Sequence, residues 1–158
     1  MNEEVNYRKA VLGDLRAIAG MEKLYFGRHA FGAGMLLYLL LHASEGFRVA
    51  EHDGEVIGYL VVRQESVRRR RAELPTFAVR EDMRGRGIGS ALLRQALDYL
   101  EGAGVRRLVL QVSVHNEGAQ KLYRRFGFTV ERTLAGYYGG GEDALLMARV
   151  LGESSPEK

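Results

Sequence analysis

Arg84-Gly85-Arg86-Gly87-Ile88-Gly89-Ser90 joins a β-rich run that ends at Val79 to an amphipathic run that begins near Ser90. Three glycines let the main chain come close to a ligand. The amides of the first helical turn, together with the positive end of the helix dipole, then form a site for an anion. Two arginines flank the turn, which tight packing alone would not require, so a phosphorylated ligand is expected. A Walker loop would close on Gly-Lys-Ser/Thr, and no lysine stands here. A dinucleotide fingerprint counted from Gly85 needs glycine where Ser90 stands. It also needs an acidic residue about 20 positions on, where Val105 and Arg106 lie. Both nucleotide readings fail.

On either side of this turn the hydrophobic periodicity predicts a mixed sheet flanked by helices, in the order β-α-α-β-β-β-α-β-α-β-β. Val5 to Lys9 alternates as a short strand, and Gly13-Asp14 opens a helical pattern through Leu15, Ile18, Met21, Leu24 and Tyr25. Gly34 to Ala43 is apolar all round, as a buried or groove-lining helix would be. Phe47 to Glu51 and Val56 to Arg63 flank His52-Asp53-Gly54-Glu55, whose Asp-Gly pair suits a hairpin. Glu73 to Val79 reads as a strand that Pro75 leaves locally unpaired or bulged. Ser90 to Glu101 is an amphipathic helix ended by Gly102 and Gly104. Arg106 to Ser113 is a strand, Asn116 to Phe126 a helix, and Phe128 to Thr133 and Ala144 to Val150 two closing strands.

Composition narrows the chemistry. At 158 residues the chain is expected to form one domain, residues 1–151, with a polar and disordered tail at 152–158. There is no cysteine, which excludes disulfides, a thiol nucleophile and thiolate metal ligands. The four histidines fall in no metal-binding spacing, so no metal is expected. The opening Met1 to Ala10 is polar, and the longest apolar run, Met35 to Leu41, is far short of the about 20 residues that span a bilayer. The expectation is a cytoplasmic protein without membrane contact. A net charge of +3 is compatible with anionic ligands but does not establish nucleic-acid binding.

Arg84, Gly87 and Gly89, preceded by Phe77-Ala78-Val79 and followed by Ala91-Leu92-Leu93, form an R-x-x-G-x-G that resembles the acetyl-CoA motif of the GNAT acetyltransferases. A second motif of that family, N-x-x-A-x-x-L-Y-x-x-x-G-F, is matched at every fixed letter from Asn116 to Phe128. The resemblance covers Val49 to Met147 and implies an α/β fold of about seven mostly antiparallel strands with four helices and splayed central strands. It implies acetyl-CoA as cosubstrate, bound by the turn Arg84, Gly85, Arg86, Gly87, Ile88, Gly89 and Ser90, with the pyrophosphate held by the amides from about Arg86 to Ser90. The main chain of Phe77, Ala78 and Val79 would pair with the pantetheine arm, and Asn116 would contact it. Taken alone, Tyr123 is a core aromatic and Asn116 a helix cap. The family places the tyrosine hydroxyl near the thioester sulfur, which makes Tyr123 the general acid. At a reference pKa near 10 it keeps its proton at neutral pH.

Tyr137-Tyr138 and Glu142-Asp143-Ala144-Leu145-Leu146-Met147 resemble the Y-Y…E-D-A-x-x-M ending of the protein N-terminal acetyltransferases, the ribosomal-protein-alanine type among them. There the tyrosine pair lines the groove for the acceptor; a hairpin with stacked aromatics is the other reading. Phe26, in the variable segment Tyr25 to Leu41, would line the opposite wall, though the family's Pro-Trp pair is missing. The family's catalytic glutamate or histidine is Gln111 here, which cannot take a proton, and a second base position falls on Glu73. Glu73 is therefore the candidate base, through a water that Gln111 orients; a surface partner for neighbouring arginines is its other reading. An α-amine of pKa near 8 costs roughly 1.4 kcal/mol to present neutral at pH 7, against about 4.6 kcal/mol for a lysine. A weak base thus suits a terminal amine. The expected function is acetylation of protein N-termini; acetylation of a small amine, or a non-catalytic CoA-binding domain, are the alternatives. Arg68 to Arg71 could draw an acidic peptide, the CoA 3′-phosphate or ribosomal RNA, or form a solvated strand edge.

Overall fold

The computed structural model describes residues 4–66 and 68–152. Its elements follow the expected order: β1 (Asn6–Lys9), α1 (Leu15–Phe26), α2 (Ala33–His42), β2 (Phe47–His52), β3 (Glu55–Ser66), β4 (Arg71–Val79), α3 (Ile88–Gly102), β5 (Arg107–Ser113), α4 (Glu117–Arg125), β6 (Thr129–Leu134) and β7 (Ala144–Val150). Among the described residues, seven mostly antiparallel strands and four α-helices make it a mixed α/β fold, as expected. Most boundaries moved by one to three residues. α3 begins at Ile88 rather than Ser90, because a positive-φ glycine already delivers the chain into the helix there. β4 begins at Arg71 rather than Glu73. Residues 68–70 form a turn and Arg71 opens β4, so of the arginine run that could draw an anion or form a solvated strand edge only Arg71 lies in a strand. The expected tail lies, beyond Gly152, outside the described residues.

The chain falls into two compact units, one holding the chain up to Arg63 with Thr76–Ala96, the other Gln64–Pro75 with the chain from Leu97 on. β4 and α3 contribute to both. In the first unit the strand order is β1-β2-β3-β4. The β2–β3 connection is the predicted hairpin: Asp53 (φ 51°) and Gly54 (φ 77°) both adopt the left-handed backbone that a two-residue turn demands. Ile18 and Met21 of α1, Leu36 and Leu39 of α2, and Phe47, Val49, Tyr59 and Val61 of the strands form its core. Burying each such side chain contributes about 1.5–3 kcal/mol, which makes these contacts the main force holding α1 and α2 on the sheet. At the start of α1, Arg8 donates to both oxygens of Asp14 (2.7 and 2.9 Å) and to Glu51 (2.6 Å), fixing the helix entry to β1 and β2.

In the second unit the order is β4-β5-β7-β6. The β4–β5 ladder is parallel and registers only Arg71, Ala72 and Glu73 with Arg107, Leu108 and Val109, ending before Pro75, which has no N–H to give. β7 then pairs antiparallel with β5 along seven residues and with β6 across a bulge at Val130/Arg132. Leu108, Leu110, Val112, Phe128 and Met147 are its buried interior.

Candidate active site

The first unit carries the glycine turn. Gly85 and Gly87 sit at φ 78° and 81°, and a Cβ at either would meet no atom within 4 Å. Backbone conformation, not crowding, is what these positions need from glycine. The first ladder bond of α3 runs from the Ala91 amide to the Gly87 carbonyl (3.0 Å), so the amides from Arg86 to Ser90 stand ahead of the ladder. Arg84 turns back. Its Nε donates to the Val79 carbonyl (2.9 Å) and its guanidinium lies over the Tyr25 ring at 4.8 Å. The hydroxyl of Tyr25 in turn accepts the Glu81 amide (2.8 Å). Arg84 thus braces the exit of β4 against α1, and Phe77, Ala78 and Val79 end that strand half-buried. Phe26 closes α1, half-buried.

One group in this unit was not singled out from the sequence. Glu22 on α1 is 1% exposed, and its carboxylate accepts from the Thr76 hydroxyl of β4 (2.6 Å), the Phe31 amide (3.0 Å) and the Tyr59 hydroxyl of β3. Burial first, and then the Glu22 charge, push the Tyr59 hydroxyl far above its ordinary value, so it stays a donor. The signal was present: Glu22 falls with Ile18, Met21 and Tyr25 at i, i+3, i+4, i+7, on the apolar face of its helix.

The second unit carries the side chains expected to act on the reacting atoms. Tyr123 is 6% exposed in α4, its ring 5.6 Å from that of Phe128, and its carbonyl accepts the amides of Phe126 and Phe128 (3.0 Å each). Burial, and after it the nearby Tyr138, push its hydroxyl above the ordinary tyrosine range. Tyr138 is itself pushed up to about 12 by burial, Tyr137 and Glu142, in that order. Tyr137 meets Tyr138 edge to face at 4.9 Å. The structure therefore gathers Tyr123, Tyr138, Tyr137 and Glu142 in one neighbourhood.

Asn116 caps α4, its side-chain oxygen accepting the Ala119 amide (3.1 Å), which leaves the amide nitrogen for other work. The turn between β5 and α4 is held by Gln120, buried, whose amide donates to the carbonyls of Ser113 and Val114 (3.0 Å each). Ser113 donates to Glu142 (2.6 Å), tying β5 to the start of β7. Neither Gln120 nor Glu142 was assigned a role from sequence, because both depend on partners that only folding brings near. Gln111 is half-buried on β5. Glu73, the cross-strand neighbour of Val109, lies on the same face as Val109, and therefore as Gln111. His115 follows the strand end, exposed.

A glycine turn between a strand and a helix, a mixed seven-stranded sheet among the described residues and a buried tyrosine on α4 fit an acyl-CoA-dependent transferase fold. A family model for the GNAT acetyltransferases matches residues 16–128, and the chain belongs to that family. It is 40% identical over 159 residues to an N-alpha-acetyltransferase of Sulfurisphaera tokodaii, covering 94% of this chain and 95% of that one. An uncharacterized N-acetyltransferase of Methanocaldococcus jannaschii is 31% identical over 77% of this chain, which spans 56% of that relative's length. The crystal structure of Ard1 from Thermoplasma volcanium superposes with a TM-score of 0.86 at 26% identity, over 94% of this chain and 99% of that one. The protein is an acyltransferase of the GNAT type.

Proposed function

We propose that this chain acetylates the α-amine at the N-terminus of a protein, by direct transfer from acetyl-CoA. The observation that carries the acceptor class is the tyrosine pair of the second unit: the exposed Tyr137 packs edge to face at 4.9 Å on the half-buried Tyr138, in the loop that leads into β7. The likeness to the Sulfurisphaera tokodaii N-alpha-acetyltransferase supports the same reading.

The turn fits the cosubstrate. Its left-handed glycines, with open space where a Cβ at Gly85 or Gly87 would stand, let a diphosphate approach the amides at the start of α3. Phe77, Ala78 and Val79 would present main-chain groups to the pantetheine, with the Asn116 amide as a further donor. Acetyl-CoA supplies the thioester. Tyr123, kept protonated, donates to the charge that gathers on the departing sulfur. Glu73 takes the proton of the attacking amine through a water that Gln111 orients. With no cysteine in the chain, no thiol can carry the acetyl group.

Peptides beginning with alanine, each prepared with a free and with a chemically blocked N-terminus, test the acceptor. Thiol release with free peptides and its loss on blocking is the expected result. Equal turnover of blocked peptides through an internal lysine, or of small amines alone, would overturn the reading.

A further inference from the structure

We infer that Glu22 is a positioning residue for the acceptor amine, a single buried carboxylate that ties the backbone at Phe31 to the strand ending in Phe77–Val79. The inference rests on the reading of Tyr25 to Leu41 as a wall of the acceptor groove.

A carboxylate held at 1% exposure is costly unless donors replace its water. Glu22 has three, and they come from three different segments. Oε1 accepts the Phe31 amide at 3.0 Å, while Oε2 accepts the Thr76 hydroxyl at 2.6 Å and the Tyr59 hydroxyl. Tyr59 is fully buried in β3 and Thr76 is 5% exposed in β4, one residue before Phe77. The chain at Phe31 belongs to no helix or strand; it lies between the short turn at Gly27–His29 and α2, and its ring packs on the core around Ile18. Such a segment has no ladder of its own to fix it. A group that hydrogen-bonds on both sides at once is what the place demands, and a carboxylate does so by accepting on two oxygens. An apolar residue in its place would strand three buried donors, whereas an apolar replacement of the whole cluster would not, so the carboxylate and its donors serve geometry rather than net stability. Its effect is to set the height of the 27–32 segment over β3 and β4 within the first unit, where an incoming amine would be aimed.

The test compares Glu22→Leu, Glu22→Gln and Thr76→Val with the parent in four measurements: melting temperature, CoA affinity by calorimetry, acceptor KM and kcat, and the exchange rate of the Phe31 amide. Acceptors are an alanine-initiated peptide and spermidine. Glu22→Leu is expected to raise acceptor KM by about tenfold while kcat and CoA affinity stay within about threefold, with faster exchange at Phe31. Glu22→Gln keeps a carbonyl for Phe31 and turns its NH2 to hydroxyls that can accept, so it is expected to restore KM to within about threefold. Should Glu22→Leu fail to fold, Thr76→Val, which keeps the shape and drops one donor, is expected to raise KM by about threefold. An unchanged acceptor KM in variants that bind CoA normally, or parental protection of the Phe31 amide in Glu22→Leu, overturns the inference. Failure of the acceptor reading shows elsewhere, in the parent protein's indifference to a blocked peptide terminus. The KM ratio on whichever amine is turned over still judges Glu22.

Discussion

The glycine turn of the first unit and the tyrosine neighbourhood of the second offer chemistry of opposite kinds. In the proposed reaction the turn would act through main-chain amides set by two left-handed glycines, with nothing within 4 Å of where a Cβ at Gly85 or Gly87 would stand. The tyrosine neighbourhood would act through hydroxyls that burial, and then neighbouring groups, hold in the protonated form. A main-chain site tolerates any side chain the backbone can carry and fails only when φ is denied. A side-chain site can be silenced by one atom with the fold untouched. The largest effect should therefore come from the smallest chemical change. Tyr123→Phe removes a single oxygen from a ring packed on Phe128 and is expected to lower kcat by about 10²- to 10³-fold, with CoA affinity kept within about twofold. Steady-state kinetics beside calorimetry decides it, and an unchanged kcat would end the assignment of Tyr123 as the acid.

The reciprocal change sits at Gly87. An alanine there has room but must hold φ near 81°, a strain of about 1–2 kcal/mol. If the turn relaxes to avoid it, CoA affinity should fall about tenfold. At saturating cosubstrate kcat should be close to that of the parent. A loss confined to kcat would break the division of labour between the two units, since it would place the turn in the chemical step.

The same contrast explains what the sequence made legible. The turn, the Asp53-Gly54 hairpin and the tyrosine helix are encoded within a few consecutive residues, so glycine placement and helical spacing were enough to find them. Pro75 marked where the β4–β5 ladder stops for the same reason: one missing N–H is a local fact. The Glu22 group was hidden because its partners Tyr59 and Thr76 lie 37 and 54 positions away. Arg84 shows a subtler limit. Flanking a phosphate turn, it reads as an anion ligand, yet its guanidinium lies on Tyr25 and its Nε is held by the Val79 carbonyl. Charge can be read from a string of letters; the direction in which a long side chain turns depends on what folding places beside it. The pairing of Glu142 was hidden likewise: the residue was read only as a letter of the closing motif, and its partner Ser113 stands 29 positions away on β5.

Helix α1 complicates the comparison, because within the first unit it is pinned by carboxylates at both ends, Asp14 at its entry and Glu22 near its exit. Asp14 tests whether such pins stabilise the fold, as distinct from aiming a substrate. Burial alone would raise its pKa, but the hydrogen bonds from Arg8 and the Val11 amide, with the Arg8 charge, outweigh it and hold the carboxyl below its ordinary value of 3.8. A depressed folded pKa means that the unfolded chain takes up the proton first as the pH falls. The stabilisation is therefore complete above the ordinary carboxylate range and is lost as the pH drops through the folded value. Asp14→Asn should cost about 1–2 kcal/mol at pH 7, read by urea unfolding. Between pH 7 and 5 that difference should be flat, and it should shrink steadily below about pH 4 as the parent loses the same charge. A difference that persists unchanged to pH 2 would show that the asparagine perturbs packing rather than charge, and that α1 is held by its apolar face alone.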